Sequence, residues 1–340
     1  MKSKEKILVI GAGAWGSALA NLLAKNSYEV FLSSNSAEIA KEISSKNTNQ
    51  KFLPDIKLSS KIKAKENFLE NFSEKMSSID SIFIVVPSHA AKEVFTQIST
   101  LNSQNKISKN CKFVICSKGF ENQSLLLLGD AFKEVSGIKN YCVLSGPNFA
   151  IEVAKNLPTI TTIASEDKNL ADKIITLLNN KHFKAIYFND PRTVEICGIV
   201  KNIIAIGCGI VEGLELGANV KSALIVKGIE EVQILCNAVK ASTDLAHAAG
   251  FGDIFLTCSS LKSRNNTLGT MLAKGKTYEE ISQETKKTYE GKFSAQNLSL
   301  VAKQKKVELT LCDTIHKILS KTSAPFSSQQ IQKEIIKAIL

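Results

Sequence analysis

Residues 7–16 read Ile7-Leu8-Val9-Ile10-Gly11-Ala12-Gly13-Ala14-Trp15-Gly16, and Ser17-Ala18-Leu19-Ala20 follow directly. A short apolar run rich in β-branched residues, a glycine-punctuated turn and a helix-forming run spell strand, turn and helix, with G-x-G-x-x-G laid across the junction. In that setting each glycine has a separate task. Gly11 permits the tight turn, Gly13 lets the backbone approach a pyrophosphate, and Gly16 lets helix and strand pack closely. The free N–H groups and dipole at the helix start then attract phosphate. The spacing alone is a weak signal, but its position between strand and helix makes a dinucleotide site the preferred reading. A mononucleotide or a methyl-donor cofactor is the alternative.

A strand about 20 residues further on normally ends in Asp or Glu, which grips the ribose 2′-OH of NAD. Here it ends Ser33-Ser34-Asn35-Ser36, with neither acid nor Arg. No carboxylate repels a 2′-phosphate and no cation recruits one, so NAD and NADP are both admissible and the corner predicts weak discrimination. Trp15 is a packing residue by default. Just past Gly13, it is also placed to cover the cofactor phosphates.

Apolar, β-branched runs recur at 6–10, 29–33, 81–86, 112–116, 141–145, 159–164 and 184–188, with helical patterns between them. Strand and helix in alternation predict a Rossmann-like, doubly wound parallel sheet. After Pro191 the apolar spacing turns helical and stays so to residue 340. This gives an α/β domain over 1–191 and an all-α domain over 192–340. Without a repeat, low-complexity tract or long linker, the halves are expected to pack directly, with the active site in a cleft between them.

Composition fits that picture. At 340 residues, 44% hydrophobic and 22% charged, the chain fills two cores, which excludes disorder, collagen and small disulfide scaffolds. The formal charge of +11 suits an anionic ligand, and a solubilising surface gives the same number. All but two of the 43 cationic residues are Lys, scattered rather than clustered with aromatics, so nucleic-acid binding gains little support. The eight cysteines form no C-x-x-C pair, which signals neither a metal site nor a disulfide framework and points to a reduced cytoplasm. The charged opening, residues 1–6, leads into an apolar run too short for a secretory segment. Residues 194–211 are apolar enough to suggest a membrane span, but a central Lys costs about 2.5 to 3.5 kcal/mol in a bilayer. They read instead as a buried helix of a soluble protein.

That helix carries Lys201 and Asn202 in its middle. A buried ammonium is expensive unless it has a partner or a task, whereas a Lys on a polar surface stripe needs neither. Gly146-Pro147-Asn148 breaks the chain just after a strand, where open α/β sheets bind ligands; the plain alternative is a turn that starts a helix. Arg264, in Ser263-Arg264-Asn265, stands out in a Lys-based chain and suggests the planar fork that grips phosphate, although one surviving Arg is also consistent with accident.

Taken in order, GAGAWGSALA, the VPSH after the strand at 81, SKGFE (117–121), LSGPNFAIEVA (144–154), VKNIIAIGCGIVEGLELGANVKSALI from 200, GFGDIFLTC (250–258) and SRN (263–265) resemble the bacterial NAD(P)-dependent glycerol-3-phosphate dehydrogenases over essentially the whole chain. The resemblance implies that Lys201 donates and accepts the proton, with Lys118 and Asp253 beside it as catalytic residues. It implies substrate contacts from Lys118, Gly146, Asn148, Lys201, Asn202, Asp253, Thr257, Ser263, Arg264 and Asn265. Cofactor contacts would come from Gly11, Gly13, Ala14, Trp15, Gly16, Asn35, Lys118, Ala150, Arg264 and Glu290. Relatives often carry an aromatic and a basic residue where this chain has Ser33 and Asn35, which leaves the choice between NAD and NADP open.

The expected reaction is reduction of dihydroxyacetone phosphate to sn-glycerol 3-phosphate, supplying glycerophospholipid synthesis. The partner is a small phosphorylated substrate, with no nucleic acid, no metal and no integral membrane segment, and a homodimer stays open. Two rivals remain. A dehydrogenase of a β-hydroxy acid or sugar acid shares the architecture but not GFGDIFLTC and SRN. A non-catalytic sensor of nicotinamide nucleotides would need the glycine motif and not Lys201, Asp253 and Arg264 together.

Overall fold

The computed structural model describes residues 5–260, 263–321 and 325–340. Residues 1–4 of the charged opening lie outside them. The chain divides into two compact units, Met1–Pro191 and Arg192–Leu340.

The first unit runs β1 (Lys6–Ile10), α1 (Ala14–Lys25), β2 (Glu29–Ser34), α2 (Ala37–Lys46), β3 (Ile62–Glu66), α3 (Phe68–Asn71), β4 (Ser81–Ile84), α4 (Ser88–Ser103), β5 (Lys112–Ile115), α5 (Leu128–Ser136), β6 (Cys142–Ser145), α6 (Ala150–Ala154), β7 (Thr159–Ala164), α7 (Lys168–Leu178) and β8 (Phe183–Phe188). The eight strands form one sheet in the order β3-β2-β1-β4-β5-β6-β7-β8. Alternation divides each strand between two cores. Val9, Val30, Leu32, Ile62, Ala64, Val114 and Leu144 share a core with apolar residues of α1, α2 and α7. On the other face Phe31 packs on Phe68 of α3, and Phe113 on Phe132 of α5.

Two features depart from the sequence reading. β3 was not foreseen: Lys-Ile-Lys-Ala-Lys-Glu offers only Ile62 and Ala64 to the core, a thin pattern that suffices at a sheet edge. The sheet is also not wholly parallel, because β7 runs antiparallel to β6. The connection over 146–158 contains only the five-residue α6. A parallel return needs a crossover to the opposite edge; this short segment stays at the edge where β6 ends, and β7 starts back from there.

The second unit is helical: α8 (Pro191–Gly213), α9 (Gly217–Ala238), a π-helical turn at Ala248–Gly252, α10 (Asp253–Ser259), α11 (Arg264–Ala273), α12 (Tyr278–Thr285), α13 (Glu290–Lys305), α14 (Thr310–Leu319) and α15 (Ser328–Ile339). Among the described residues, α8 is the one helix long and apolar enough to cross a membrane, and its apolar window is wholly buried. Glycines let α8 and α11 meet backbone to backbone. A Cβ on Gly209 would lie 1.9 Å from the Asn266 carbonyl oxygen, and one on Gly269 would lie 2.0 Å from that of Ile206. This approach sets the start of α11 against the middle of α8.

Candidate active site

In the sheet unit the foreseen residues follow the carboxyl ends of parallel strands. β1 lies between β2 and β4, where the strand order reverses, so loops after these strands diverge and leave room for a ligand. The glycine turn occupies that position. Gly11 has φ of +112°, donates its N–H to the Ser33 carbonyl at 2.9 Å, and would bring a Cβ to 2.6 Å from the Val85 carbonyl oxygen. A Cβ on Gly16 would sit 1.8 Å from the Gly11 carbonyl oxygen. Around Gly13 nothing lies within 4 Å of the same position, so its missing side chain leaves free space. Gly13 is the N-cap of α1, with no side-chain cap and no acid in the first turn, which includes Ala14 and Trp15. The opening N–H groups of α1 therefore keep their positive end available. Trp15 is half-buried and packs against the core. These residues fit a dinucleotide pyrophosphate: open space, free donors and no opposing charge occur together.

Ser33 and Ser34 are buried and committed locally. Ser33 Oγ accepts from Phe68 N at 3.0 Å, and Ser34 Oγ from Ser36 N at 3.1 Å, while Asn35 is exposed. Lys118 is half-buried in the loop after β5. That loop is held to the start of α4, since Ser117 Oγ donates to the Val86 carbonyl at 2.5 Å and a Cβ on Gly119 would lie 2.6 Å from Ser88 Cβ. After β6, Asn148 ties its loop to β7: Nδ2 donates to the Ile160 carbonyl at 2.8 Å, and Oδ1 accepts from Thr161 Oγ1 at 2.8 Å. Gly146 has Thr161 within 3.0 Å of a would-be Cβ, and Ala150 begins α6.

In the helical unit Lys201, mid-way along α8, is 7% exposed and Asp253 is 2% exposed. Lys201 Nζ lies 2.6 Å from Asp253 Oδ1 and donates to Thr257 Oγ1 at 3.2 Å. Thr257 in turn donates to the Asp253 carbonyl at 2.6 Å. Asp253 and Thr257 stand one helical turn apart, so α10 presents both to the same ammonium. The preceding π-helical turn fixes where α10 begins. Gly250 has non-helical angles there, and a Cβ on it would lie 2.2 Å from the Leu245 carbonyl oxygen. His247 Nδ1 accepts from Gly250 N at 3.1 Å and holds the turn. Burial pushes the His247 imidazole below its ordinary pKa, against the opposing pull of Asp244. Sequence reasoning missed His247, although a His three residues ahead of Gly-Phe-Gly is a recognisable side-chain cap.

Beside Lys201, Asn202 Oδ1 accepts from Asn265 Nδ2 at 3.0 Å, and Gly291 N donates to Asn265 Oδ1 at 3.3 Å. Gly291 is needed for that approach, because a Cβ would lie 2.6 Å from Ile206 Cδ1. The start of α13, with exposed Glu290 as its first residue, is thereby pinned to the start of α11. Ser263 caps α11 by accepting from Asn266 N at 3.3 Å. Arg264 is the first residue of α11, exposed, and makes no ion pair or side-chain hydrogen bond with the described residues, so its fork is available to a ligand. The cysteines do not join this chemistry. All eight are free thiols, and Cys258, next to Thr257, is raised well above its ordinary value by its hydrogen bond with Cys208 and by burial.

Comparison with known proteins gives a consistent result. Residues 6–171 match the family described as NAD-dependent glycerol-3-phosphate dehydrogenase N-terminus, and residues 190–328 its C-terminus. A protein of Parvibaculum lavamentivorans named glycerol-3-phosphate dehydrogenase [NAD(P)+] is 35% identical over 93% of this chain and 92% of its own. One of the same name from Erythrobacter litoralis is 33% identical over 98% and 97%. The crystal structure of glycerol-3-phosphate dehydrogenase from Coxiella burnetii superposes with a TM-score of 0.88 at 31% identity, covering 98% of both chains.

Proposed function

The chain belongs to the NAD-dependent glycerol-3-phosphate dehydrogenase family, and on that premise we propose that it reduces dihydroxyacetone phosphate to sn-glycerol 3-phosphate with Lys201 as proton donor. It is an NAD(P)-dependent oxidoreductase. The observation that carries the proposed role is the buried Lys201–Asp253–Thr257 contact set.

The residues of the glycine turn would hold the dinucleotide, which when bound supplies the hydride. The protein's own part is to bind, orient and move a proton. Reduction of a ketone leaves negative charge on its oxygen, and an ammonium beside that oxygen both stabilises the charge and gives up a proton. Asp253 and Thr257 fix the direction of Nζ, and the Asp253 carboxylate 2.6 Å away gives the buried ammonium an opposite charge. Breaking such a buried pair costs about 3 to 5 kcal/mol, so the pair also orders this part of the helical unit. Arg264, at the open start of α11, would grip the substrate phosphate and so position the carbonyl, with Asn202 and Asn265 held by each other beside it. The free thiols suit a reducing cytoplasm, and the product would serve glycerophospholipid synthesis.

The test is a parallel titration of NADH and NADPH oxidation with dihydroxyacetone phosphate and with unphosphorylated dihydroxyacetone. The phosphorylated ketone should be used far more efficiently. Comparable efficiency for the two would contradict the phosphate role of Arg264, and absence of any turnover would contradict the proposed reaction.

A further inference from the structure

The corner after β2 looks bare in the sequence, yet β3 runs beside it in parallel, with Ser33 opposite Lys65 and Ser34 opposite Glu66. Ser34 and Glu66 are the last residues of their strands, so they stand together at the carboxyl edge of the sheet. Ile62 and Ala64 share the core of Val30, Leu32 and the α2 residues Ile39 and Ile43. Alternation carries Glu66, two residues beyond Ala64, to that same face beside Ser34. The lysines of β3 go the other way. Lys63 Nζ pairs with Glu29 at 2.6 Å and lies 5.5 Å from the Phe31 ring centre, and Lys65 Nζ lies 5.3 Å from that of Phe72.

Glu66 is exposed. Its carbonyl accepts from Asn71 Nδ2 at 3.2 Å, but its carboxylate makes no ion pair or hydrogen bond with the described residues. Neighbouring groups are otherwise engaged or neutral: both serine hydroxyls accept backbone N–H groups, and Asn35 carries no charge. The first turn of α2, the other cradle available to a phosphate at this corner, contains Glu38.

We propose that Glu66 is the specificity-determining residue that makes this enzyme prefer NADH to NADPH, the acid normally found at the end of the second strand being supplied by the third. The inference rests on the dehydrogenase reading above. A carboxylate accepts a hydrogen bond from a ribose 2′-OH, which donates. A 2′-phosphate offers only acceptor oxygens and negative charge, and meets Glu66, with Glu38 nearby, where a binding site would need Arg or Lys. The expectation of weak discrimination drawn from β2 alone is thereby replaced by one of NADH preference.

Wild type, Glu66→Gln and Glu66→Lys are to be titrated with NADH and NADPH, binding being followed by quenching of Trp15, the single tryptophan, by the dihydronicotinamide ring. The ratio of kcat/KM for the two cofactors is measured alongside, and circular dichroism checks the fold of each variant. Wild type should bind NADH more tightly by about tenfold or more, and Glu66→Gln should narrow the ratio by about tenfold, the scale of one charge-assisted hydrogen bond. Glu66→Lys should narrow it further or invert it, with the KM for dihydroxyacetone phosphate unchanged. A wild-type ratio near one, or an unchanged ratio in Glu66→Gln, would overturn the inference while leaving the dehydrogenase reading intact. Failure of wild type to bind either nucleotide would overturn both.

Discussion

Arg264 shows how much depends on a single side chain. In a chain whose positive charge is otherwise almost all Lys, it stands exposed as the first residue of α11, beside buried Asn265. A planar fork offers two parallel donors to a phosphate, where Lys offers a point charge. Replacing Arg264 by Lys should therefore lower kcat/KM for dihydroxyacetone phosphate by about tenfold to a hundredfold, equivalent to about 1.5 to 3 kcal/mol. Most of that should appear in KM, because a phosphate remote from the reacting carbon is held alike in ground and transition states. Steady-state constants for the two proteins, with circular dichroism as a control, decide the point; equal efficiency would make Arg264 an ordinary surface residue. The oddity of Arg264 and the need of Lys201 for a partner could both be read from the sequence, and the structure shows the second need met by Asp253. The partner's identity was not legible from residue chemistry, because Asp253 lies 52 positions away and contact across that distance is set by how the helices pack.

At the scale of elements, the glycine turn separates backbone necessity from ligand necessity. Gly13→Ala should fold as well as wild type, or up to about 1 kcal/mol better, since its backbone angles suit alanine and the new methyl meets nothing. It should nevertheless bind nucleotide more weakly, because that methyl enters the space a pyrophosphate needs. Gly16→Ala should lose about 3 kcal/mol or more, the methyl being driven into the Gly11 carbonyl. Urea unfolding and nucleotide titration of the two variants test this pair, and a Gly16→Ala protein of wild-type stability would contradict the packing described. The π-helical turn supplies a second test. With the His247 pKa lowered by burial, the folded protein takes up this proton less readily than the unfolded chain, which protonates near the ordinary value of about 6.5. Stability from this residue is thus complete above that pH and is lost as pH falls below it. Between pH 7.5 and 5.5 the urea midpoint should fall more for wild type than for His247→Asn, which keeps a neutral acceptor; equal falls would remove His247 from the account. Of these elements, the glycine turn could be read because its constraints are local. The strand β3 could not, since Ile62 and Ala64 give too little pattern and its pairing with β2 is made across the sheet. Nor could the reversal at β7, because Thr-Ile-Thr-Thr-Ile-Ala carries no mark of strand direction.

Across the whole molecule, the sheet unit shows constraints that suit a dinucleotide, and the helical unit concentrates buried polar chemistry around one ammonium. Lys201 is the proposed proton donor, and replacing it by Met keeps the apolar stem while removing the charge. The substitution leaves Asp253 buried without its cation, so Lys201→Met is best studied together with Lys201→Met/Asp253→Asn, each at a temperature where unfolding measurements show it folded. The decisive measurement is the turnover of NADH with saturating dihydroxyacetone phosphate for wild type and both variants, alongside their affinity for NADH. With Lys201 as proton donor, turnover should fall by about 10² to 10⁴ while NADH affinity changes by less than about twofold. Near-normal turnover in a folded Lys201→Met protein would contradict that role and leave Lys201 a structural partner of Asp253.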